Sequence, residues 1–444
     1  MELARTFLRR EALRGTDSAL APECYLNAWA RVPGNARLRR LAGERGSGLK
    51  LLASRLREAL LVAGQSGYEL IGGAASRPAW KYMVVSWGRN ADFAADGSYT
   101  DRYFRMAARA APATLWFVIA LDAVDPARLE PNVAVFRRSL ATPRLDLRYL
   151  LSAAAAAAAG TQPRVHGSVP RLSATVAFAD QVTRTVAGLL AQGSFDSIAM
   201  PYEAQPFQHA LFRAAKLQND AIRTVGYLHS ALPPLPTDLL RRPGAPQLLL
   251  VHGSDHAQML ERDLGWPAGS VRRISSLRYR AGAAAELDGL IFLPYHFAHE
   301  RTIANAFREF IAGSPAHSLP PLAVRNHPVM QGSAAHARLQ ASMEAAMRAH
   351  ADRFDPARRK DSGAGRGVSV FIGATAAILE ALERGVDAIH ICSQPLLESH
   401  SAALWRELKV EQLGSHTFRY RLKQRGAYIE FGGDNDSIED YLRV

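Results

Sequence analysis

The strongest constraint in this sequence is a recurring unit. A short apolar run ends in Gly, Ser, His, Asp or Glu and is followed by a helical pattern. Runs of that kind are what strands buried on both faces of a parallel sheet require, and the crossover between parallel strands needs a helix-sized connection. The series predicts strands at Tyr82–Ser86, Thr114–Leu121, Ser197–Met200, Arg223–Tyr227, Gln247–Val251 and Val271–Ile274, with helices such as Gln205–Leu217 and Asp255–Leu264 between them. After a loosened stretch around Tyr279–Glu286, read as a linker, a second series follows. Strands are expected at Gly289–Pro294, Pro321–Arg325, Gly367–Ile372 and Val386–Ile391, with helices at Ile303–Ala312, Ser342–Arg353 and Ala376–Arg384. The expectation is therefore an α/β chain of two Rossmann-like domains facing each other across a cleft, residues 1–278 and 279–444.

A chain of 444 residues is long enough for two such cores. Lys and Arg total 54 against 41 Asp and Glu, a formal charge of +13. Excess positive charge favours phosphate-bearing partners and anionic membrane surfaces. No dense basic run with interleaved aromatics is present, so nucleic acid is not an expected partner. Cys24 and Cys392 are far apart and lack metal-ligand spacing. The first residues, MELARTFLRREALRG, contain no long apolar core of a signal peptide. The longest apolar stretch, around Leu150–Ala159, is mostly alanine and shorter than the roughly 20 residues that span a membrane. The expectation is a cytoplasmic protein, soluble or peripherally attached at the inner face of the inner membrane. The low-complexity segment Arg148–Ser168 reads as a helix end and a loop.

Four motifs carry candidate chemistry. Arg325-Asn326-His327-Pro328 follows a strand directly, and the proline keeps His327 out of the α region, at the strand's carboxyl edge. Phe371-Ile372-Gly373-Ala374-Thr375 is a strand, a glycine turn and a helix start, with Glu380 further along that helix. Free N–H groups and the dipole at such a start favour a phosphate or carboxylate. Met200-Pro201-Tyr202-Glu203 places a carboxylate at a strand end, able to serve as base or nucleophile. Ser275-Ser276-Leu277-Arg278 lies at the crossing between the two series, where an Arg fork could hold a phosphate. Turns and helix caps use these same residue types, so each motif also has a purely structural explanation.

Two facing α/β domains are the plan of glycosyltransferase-B enzymes, and also of periplasmic binding proteins and some epimerases. Taken together and in order, the motifs resemble bacterial glycosyltransferase-B enzymes of surface-polysaccharide synthesis. The likeness is to those using CMP-activated acidic sugars, the capsule Kdo transferases and the sialyl- and polysialyltransferases, and it covers roughly residues 80–395. His327-Pro328 matches the family's His-Pro motif, and Gly373-Ala374-Thr375 resembles its Ser/Thr-rich turn, with one hydroxyl. Ser276 and Arg278 fall in a stretch like the family's interdomain crossing. The family's paired acidic motif is matched only in part, by Asp96-Gly97 and by Tyr202-Glu203-Ala204.

The resemblance implies transfer of Kdo or another ulosonic acid from a CMP-linked donor to a growing surface glycan, lipopolysaccharide O-antigen or capsule. The donor would be held by His327, Pro328, Arg325, Gly373, Thr375, Glu380, Ser276 and Arg278. The acceptor would lie near Trp87, Gly88 and His229, with Glu203 ahead of Asp96 as the catalytic carboxylate. No cofactor is expected beyond the nucleotide sugar, and no metal. A UDP- or CDP-linked donor, a polyol-phosphate transferase, an epimerase and a non-catalytic assembly protein remain open alternatives.

Overall fold

The computed structural model describes residues 67–72, 80–124, 129–139, 174–236, 239–280, 287–294, 297, 299–327, 333–355, 367–433 and 437–443. Pro328, Cys24 and the alanine-rich segment 148–168 lie outside them.

The first sheet contains β1 (Tyr68–Gly72), β2 (Tyr82–Gly88), β5 (Thr114–Ala120), β6 (Val133–Arg138), β7 (Ser197–Pro201), β8 (Arg223–Tyr227), β9 (Leu248–Val251) and β10 (Val271–Arg273). A small hairpin, β3 (Thr100–Asp101) with β4 (Met106–Ala107), interrupts the series between β2 and β5. The spatial order is β1-β6-β5-β2-β7-β8-β9-β10, and all neighbours are parallel except β1 with β6. The inner strands are buried on both faces, as the continuous apolar runs require. Met83, Val85, Leu115, Phe117, Ile198 and Met200 face one side. The helices α1 (Ala174–Leu190), α2 (Pro206–Gln218) and α3 (Ser254–Asp263) contribute Val186, Phe212 and Met259 to that same cluster. Val84, Trp116, Val118, Ala199 and Val225 face the other side, under Tyr99 and Phe104.

The second sheet contains β12 (Leu290–Phe292), β13 (Ala323–Arg325), β14 (Val368–Ile372), β15 (Asp387–Ile391), β16 (Leu408–Gln412) and β17 (Thr417–Leu422), ordered β13-β12-β14-β15-β17-β16. The first four are parallel, while β17 is antiparallel to β15 and to β16. Helices α4 (Glu300–Gly313) and α5 (Ala334–Ala349) pack on one face through Phe307, Ile311, Leu339 and Met343. The short helices α6 (Ala377–Glu383) and α7 (Pro395–Glu398) follow β14 and β15.

Three expectations need correction. The linker expected from Tyr279 begins with a strand: β11 (Ser276–Arg280) pairs with β18 (Phe431–Gly432). Its polar, half-exposed residues hid it from a search for apolar runs. The helix expected at Ser342–Arg353 starts at Ala334, in an alanine-rich stretch without strong periodicity, and ends at Ala349. The division at residue 278 does not hold for the chain's last residues. The helix α8 (Glu439–Leu442) returns to the first sheet, because Ile438 and Leu442 bury their side chains in the cluster of Tyr82, Val84 and Leu248. Thr114 Oγ1 donates to Glu439 Oε1 at 2.8 Å.

The two sheets share a buried seam. Gly253 ends so close to the 427–428 backbone that a Cβ there would meet the carbonyl oxygens of Ala427 and Tyr428 at 2.5 Å. Glu383, buried in α6, accepts the backbone N–H groups of Gly426, Tyr428 and Ile429 at 2.7, 2.7 and 3.2 Å. Trp405 Nε1 donates to Pro234 O at 3.0 Å. Histidines are buried along the same seam. Burial pushes His252 and His390 down to about 4, and His256 and His400 well below their ordinary value. His209, hydrogen-bonded through Nε2 to Tyr202 Oη at 2.7 Å, is pushed down to about 3 by burial and then by Arg242 and Arg213.

Glu383→Ala leaves three N–H groups without their acceptor, and the cost expected is about 3 kcal/mol or more, read as a lower urea midpoint. The histidines give stability a definite pH dependence. Each takes up a proton near pH 6.5 when unfolded but resists it when folded, so stability is lost as pH falls below about 6.5. Asp101, Asp255 and Glu383, raised by burial, act in the opposite sense, but are fewer than the histidines. The urea midpoint is expected to fall between pH 7 and pH 5.5, and a flat profile would contradict the neutral histidine seam.

Candidate active site

In an open parallel sheet the ligand crevice lies outside the carboxyl ends, where the strand order reverses. In the first sheet that point falls between β2 and β7, and in the second between β12 and β14. The residues following β7 are Tyr202-Glu203-Ala204-Gln205. Their loop is held from below by Gln208. Its Oε1 accepts the N–H groups of Glu203 and Gln205 at 3.0 and 2.9 Å, and its Nε2 donates to Pro201 O at 2.6 Å. Ala204 sits in the left-handed region at φ 55°, a conformation that costs a non-glycine residue about 1–2 kcal/mol. The turn aims Glu203 outward, with its side chain 42% exposed.

His229, just past β8, is buried, and its Nε2 lies 3.3 Å from Glu203 Oε1. Its Nδ1 is buried and has no hydrogen-bond partner among the described residues. Gln205 Nε2 donates to the other oxygen, Glu203 Oε2, at 2.7 Å. Burial alone would raise the Glu203 carboxyl. The His229 hydrogen bond and charge, then Gln205 and Arg278, outweigh it and hold the group below its ordinary value. Glu203 is thus an ionised acceptor at neutral pH. The imidazole edge away from it is closed to solvent, which leaves the carboxylate as the group able to touch a substrate.

Tyr103 completes this wall. Its ring meets His229 edge-on at 4.6 Å and Trp87 at 5.8 Å, and Trp87 in turn meets Phe207 at 5.6 Å. Burial, then the Glu203 charge, raises the Tyr103 phenol to about 12, so it stays a hydroxyl. Asp101 fixes the turn beneath it by accepting the N–H groups of Tyr103 and Phe104, both at 2.8 Å. Tyr227, at the end of β8, accepts the N–H groups of Leu277 and Arg278 at 3.0 and 3.2 Å. That contact brings β11 to the first site, where the Arg278 charge acts on Glu203 and Tyr103.

Along the second sheet, Gly373 adopts φ +65°, which only glycine takes readily, and its carbonyl accepts from His390 Nε2 at 2.8 Å. Thr375 Oγ1 accepts the Ala377 N–H at 3.3 Å in the turn that leads into α6. Arg325 places its guanidinium over the Phe292 ring at 5.6 Å, and His327 stands half-exposed two residues further on. β13 and β14 flank β12, with Arg325 and Phe371 both in register with Phe292, so Arg325 and Phe371 are about 10 Å apart across two strand spacings and Gly373 lies two residues beyond. Glu380 pairs with Arg384 at 3.0 Å, and Arg384 Nη2 donates to Arg280 O at 3.2 Å. Both charges act on Tyr279. These contacts join α6 to β11.

The structure therefore gathers Trp87, Glu203, His229 and Arg278 at one edge, and Arg325, His327, Gly373 and Thr375 at the other. Three expected site residues fall elsewhere. Asp96 is in an exposed turn where Ser98 N and Oγ donate to its carboxylate at 3.0 and 2.7 Å. Gly88 is a packing glycine, with Val118 Cγ1 2.5 Å from where a Cβ would sit. Ser276 is buried, and its Oγ accepts the Arg278 and Tyr279 N–H groups at 3.2 and 2.8 Å. Tyr103, Asp101, Gln208 and Tyr227 were not foreseen. Only Gln208 carried a signal, as a Gln three residues after a helix start. Among the described residues, no group of three or more His, Cys, Asp or Glu side chains is placed to hold a metal, and no helix is long and apolar enough to cross a membrane.

No protein-family model matches the chain, and no curated protein matches it. Among solved structures, a UGT transferase from Siraitia grosvenorii in complex with UDP is similar at 10% identity, over 69% of this chain and 80% of that one, with a TM-score of 0.30. So loose a likeness assigns neither donor nor acceptor.

Gln208→Leu removes all three bonds that hold the strained 201–205 loop. Stability is expected to fall by about 2–4 kcal/mol, with Glu203 losing its fixed aim, measured by urea unfolding.

Proposed function

We propose that this chain is a glycosyltransferase that moves a sugar from a nucleotide-activated donor to an acceptor hydroxyl. The observation that carries the reading is the Glu203–His229 pair at the switch point of the first sheet. Glu203 takes the proton of the acceptor hydroxyl. The freed oxygen pair forms the new bond to the anomeric carbon as the bond from that carbon to the donor phosphate oxygen breaks. His229 orients the carboxylate and Trp87 and Tyr103 give the acceptor sugar an aromatic wall. Arg278 from the first edge, with Arg325, His327 and the Gly373–Thr375 turn from the second, meets the leaving phosphate and neutralises it without a metal. The finer assignment follows the family resemblance: a CMP-linked ulosonic acid such as Kdo, and a surface-glycan acceptor, O-antigen or capsule, reached in the cytoplasm at the inner face of the membrane. Pro328 would belong to the donor side with His327.

One observation favours a second donor reading. The hydroxyls of Thr375 and Ser276 are both spent on backbone N–H groups, which leaves them less free to recognise a CMP group and keeps UDP or CDP in play.

Melting of the full chain with CMP, CDP, UDP, GDP and ADP separates these readings, because a ligand of the folded state raises Tm. CMP is expected to give the shift, a UDP shift would move the donor to the second reading, and no shift at all would argue for a non-catalytic role. With the donor identified, Glu203→Gln is expected to keep nucleotide binding and lose about 10²–10⁴-fold in turnover. His229→Ala removes the main influence holding Glu203 low, so the acid limb of kcat/KM should move to higher pH. Unchanged turnover in Glu203→Gln would sink the assignment.

A further inference from the structure

Two neighbouring arginines at the crossing between the sheets are held by oxygens: Arg273 pairs with Glu430 at 2.7 Å, and the Arg280 guanidinium donates to Gly433 O. Between them Arg278 is exposed and forms no ion pair among the described residues. Its guanidinium lies 5.5 Å over the Tyr279 ring, and its charge acts on Glu203, Tyr103 and Tyr279. An arginine side chain carries about 2 kcal/mol of rotamer entropy, so the aim of an unpaired one depends on how firmly its backbone is placed.

That backbone is captured by two buried hydroxyls. Tyr227 Oη accepts the N–H groups of Leu277 and Arg278 at 3.0 and 3.2 Å, and Ser276 Oγ accepts those of Arg278 and Tyr279 at 3.2 and 2.8 Å. The two oxygens are 3.4 Å apart. Ser276 forms the local turn in which a serine hydroxyl takes the amides that follow it. Tyr227 comes from β8 and ties that turn to the first sheet, while Leu277 buries its side chain in the same core cluster as Tyr227. Tyr227 stands two residues before His229, so one strand supplies both the imidazole beside Glu203 and the oxygen that holds Arg278. We propose that Tyr227 and Ser276 are positioning residues whose hydroxyls hold Arg278 at the Glu203 crevice, and that within Ser276-Leu277-Arg278 only Arg278 meets substrate. The substrate contact rests on the transferase reading; the placement of Arg278 does not.

The groups acting on Glu203 are His229 and Arg278 as cations, Tyr103 as a phenol and Gln205 as an amide donor. Loosening Arg278 from this set makes the carboxylate easier to protonate. Glu203 is titrated in the free full chain by 13C NMR with glutamate labelled at Cδ, its signal assigned by its loss in Glu203→Gln. Tyr227→Phe keeps its ring against Phe104 and His252, at 5.4 and 6.3 Å, and is expected to fold with a lower Tm. Tyr227→Phe and Arg278→Gln should each raise the Glu203 midpoint, and the double variant should raise it no further than Arg278→Gln alone. Ser276→Ala, which leaves Tyr227 in place, should raise it too and decides the matter if Tyr227→Phe does not fold. With a donor identified, Arg278→Gln should lower kcat/KM about tenfold, the loss of one charge-assisted hydrogen bond, with Tyr227→Phe adding nothing in the double variant. An unmoved Glu203 midpoint in Tyr227→Phe and Ser276→Ala, or effects of Tyr227→Phe and Arg278→Gln that add in the double variant, overturns the proposal. Absence of turnover with every donor would overturn the transferase reading instead, and the titration would still decide the placement of Arg278.

Discussion

The carboxylate of Glu383 accepts three consecutive-region N–H groups from 426–429, and the relation between the two sheets depends on that capture. Burial raises this carboxyl above its ordinary range, against the three bonds that lower it. Held there, the 426–429 backbone lies directly on Gly253 at the start of α3, where no side chain fits. Tyr428 Oη then donates to Asp255 at 3.0 Å, and β18 follows at once to pair with β11. The 426–429 segment therefore stands between Glu383 of the second half and α3 of the first, bonded to the one and packed on the other. The contacts that join the sheet edges, Arg384 with Arg280 and Glu380 and Arg384 with Tyr279, follow from that placement.

Within the site, exposure divides the work of Glu203 and His229. A carboxylate 42% exposed can meet a substrate, while a histidine buried behind it can only orient and charge-balance it. The strained backbone at Ala204 is tolerable because Gln208 supplies three hydrogen bonds to the same loop. Strain next to a charged, outward-aimed group is a common arrangement at functional sites, where the surrounding bonds over-determine the loop. Asp101 does the same for Tyr103 from the neighbouring turn.

Most parallel strands were legible in the sequence because burial on both faces demands continuous apolar runs, although β6, parallel to β5 and buried over Val133–Phe136, was not among those expected. Arg223–Tyr227 falls on its expected bounds, and β2, β5, β7 and β14 lie within two residues of theirs. The antiparallel strands were not foreseen, and β16 shows why. Leu408 and Val410 turn inward while Lys409 and Glu411 face solvent, so no apolar run exists to be seen. Strand-end residues such as Glu203 and His229 could be picked out because the crevice position follows from topology. Ser276 and Thr375 could not be judged that way, since a hydroxyl caps a turn or meets a ligand with the same sequence around it. Gln208 and Tyr227 act through long side chains reaching the backbone of other segments, and no local pattern records that.

The return of the C-terminus adds a constraint that neither sheet has alone. After β18 the chain crosses back and buries Ile438 and Leu442 in the first core, and Glu439 accepts the hydroxyl of Thr114 at the start of β5. The second half is thereby held at two places: through the 426–429 seam, and through α8 at the far edge of the first sheet. Any hinge between the halves has to bend with both attachments intact. Motion of the second sheet relative to Glu203 is consequently limited by those two attachments.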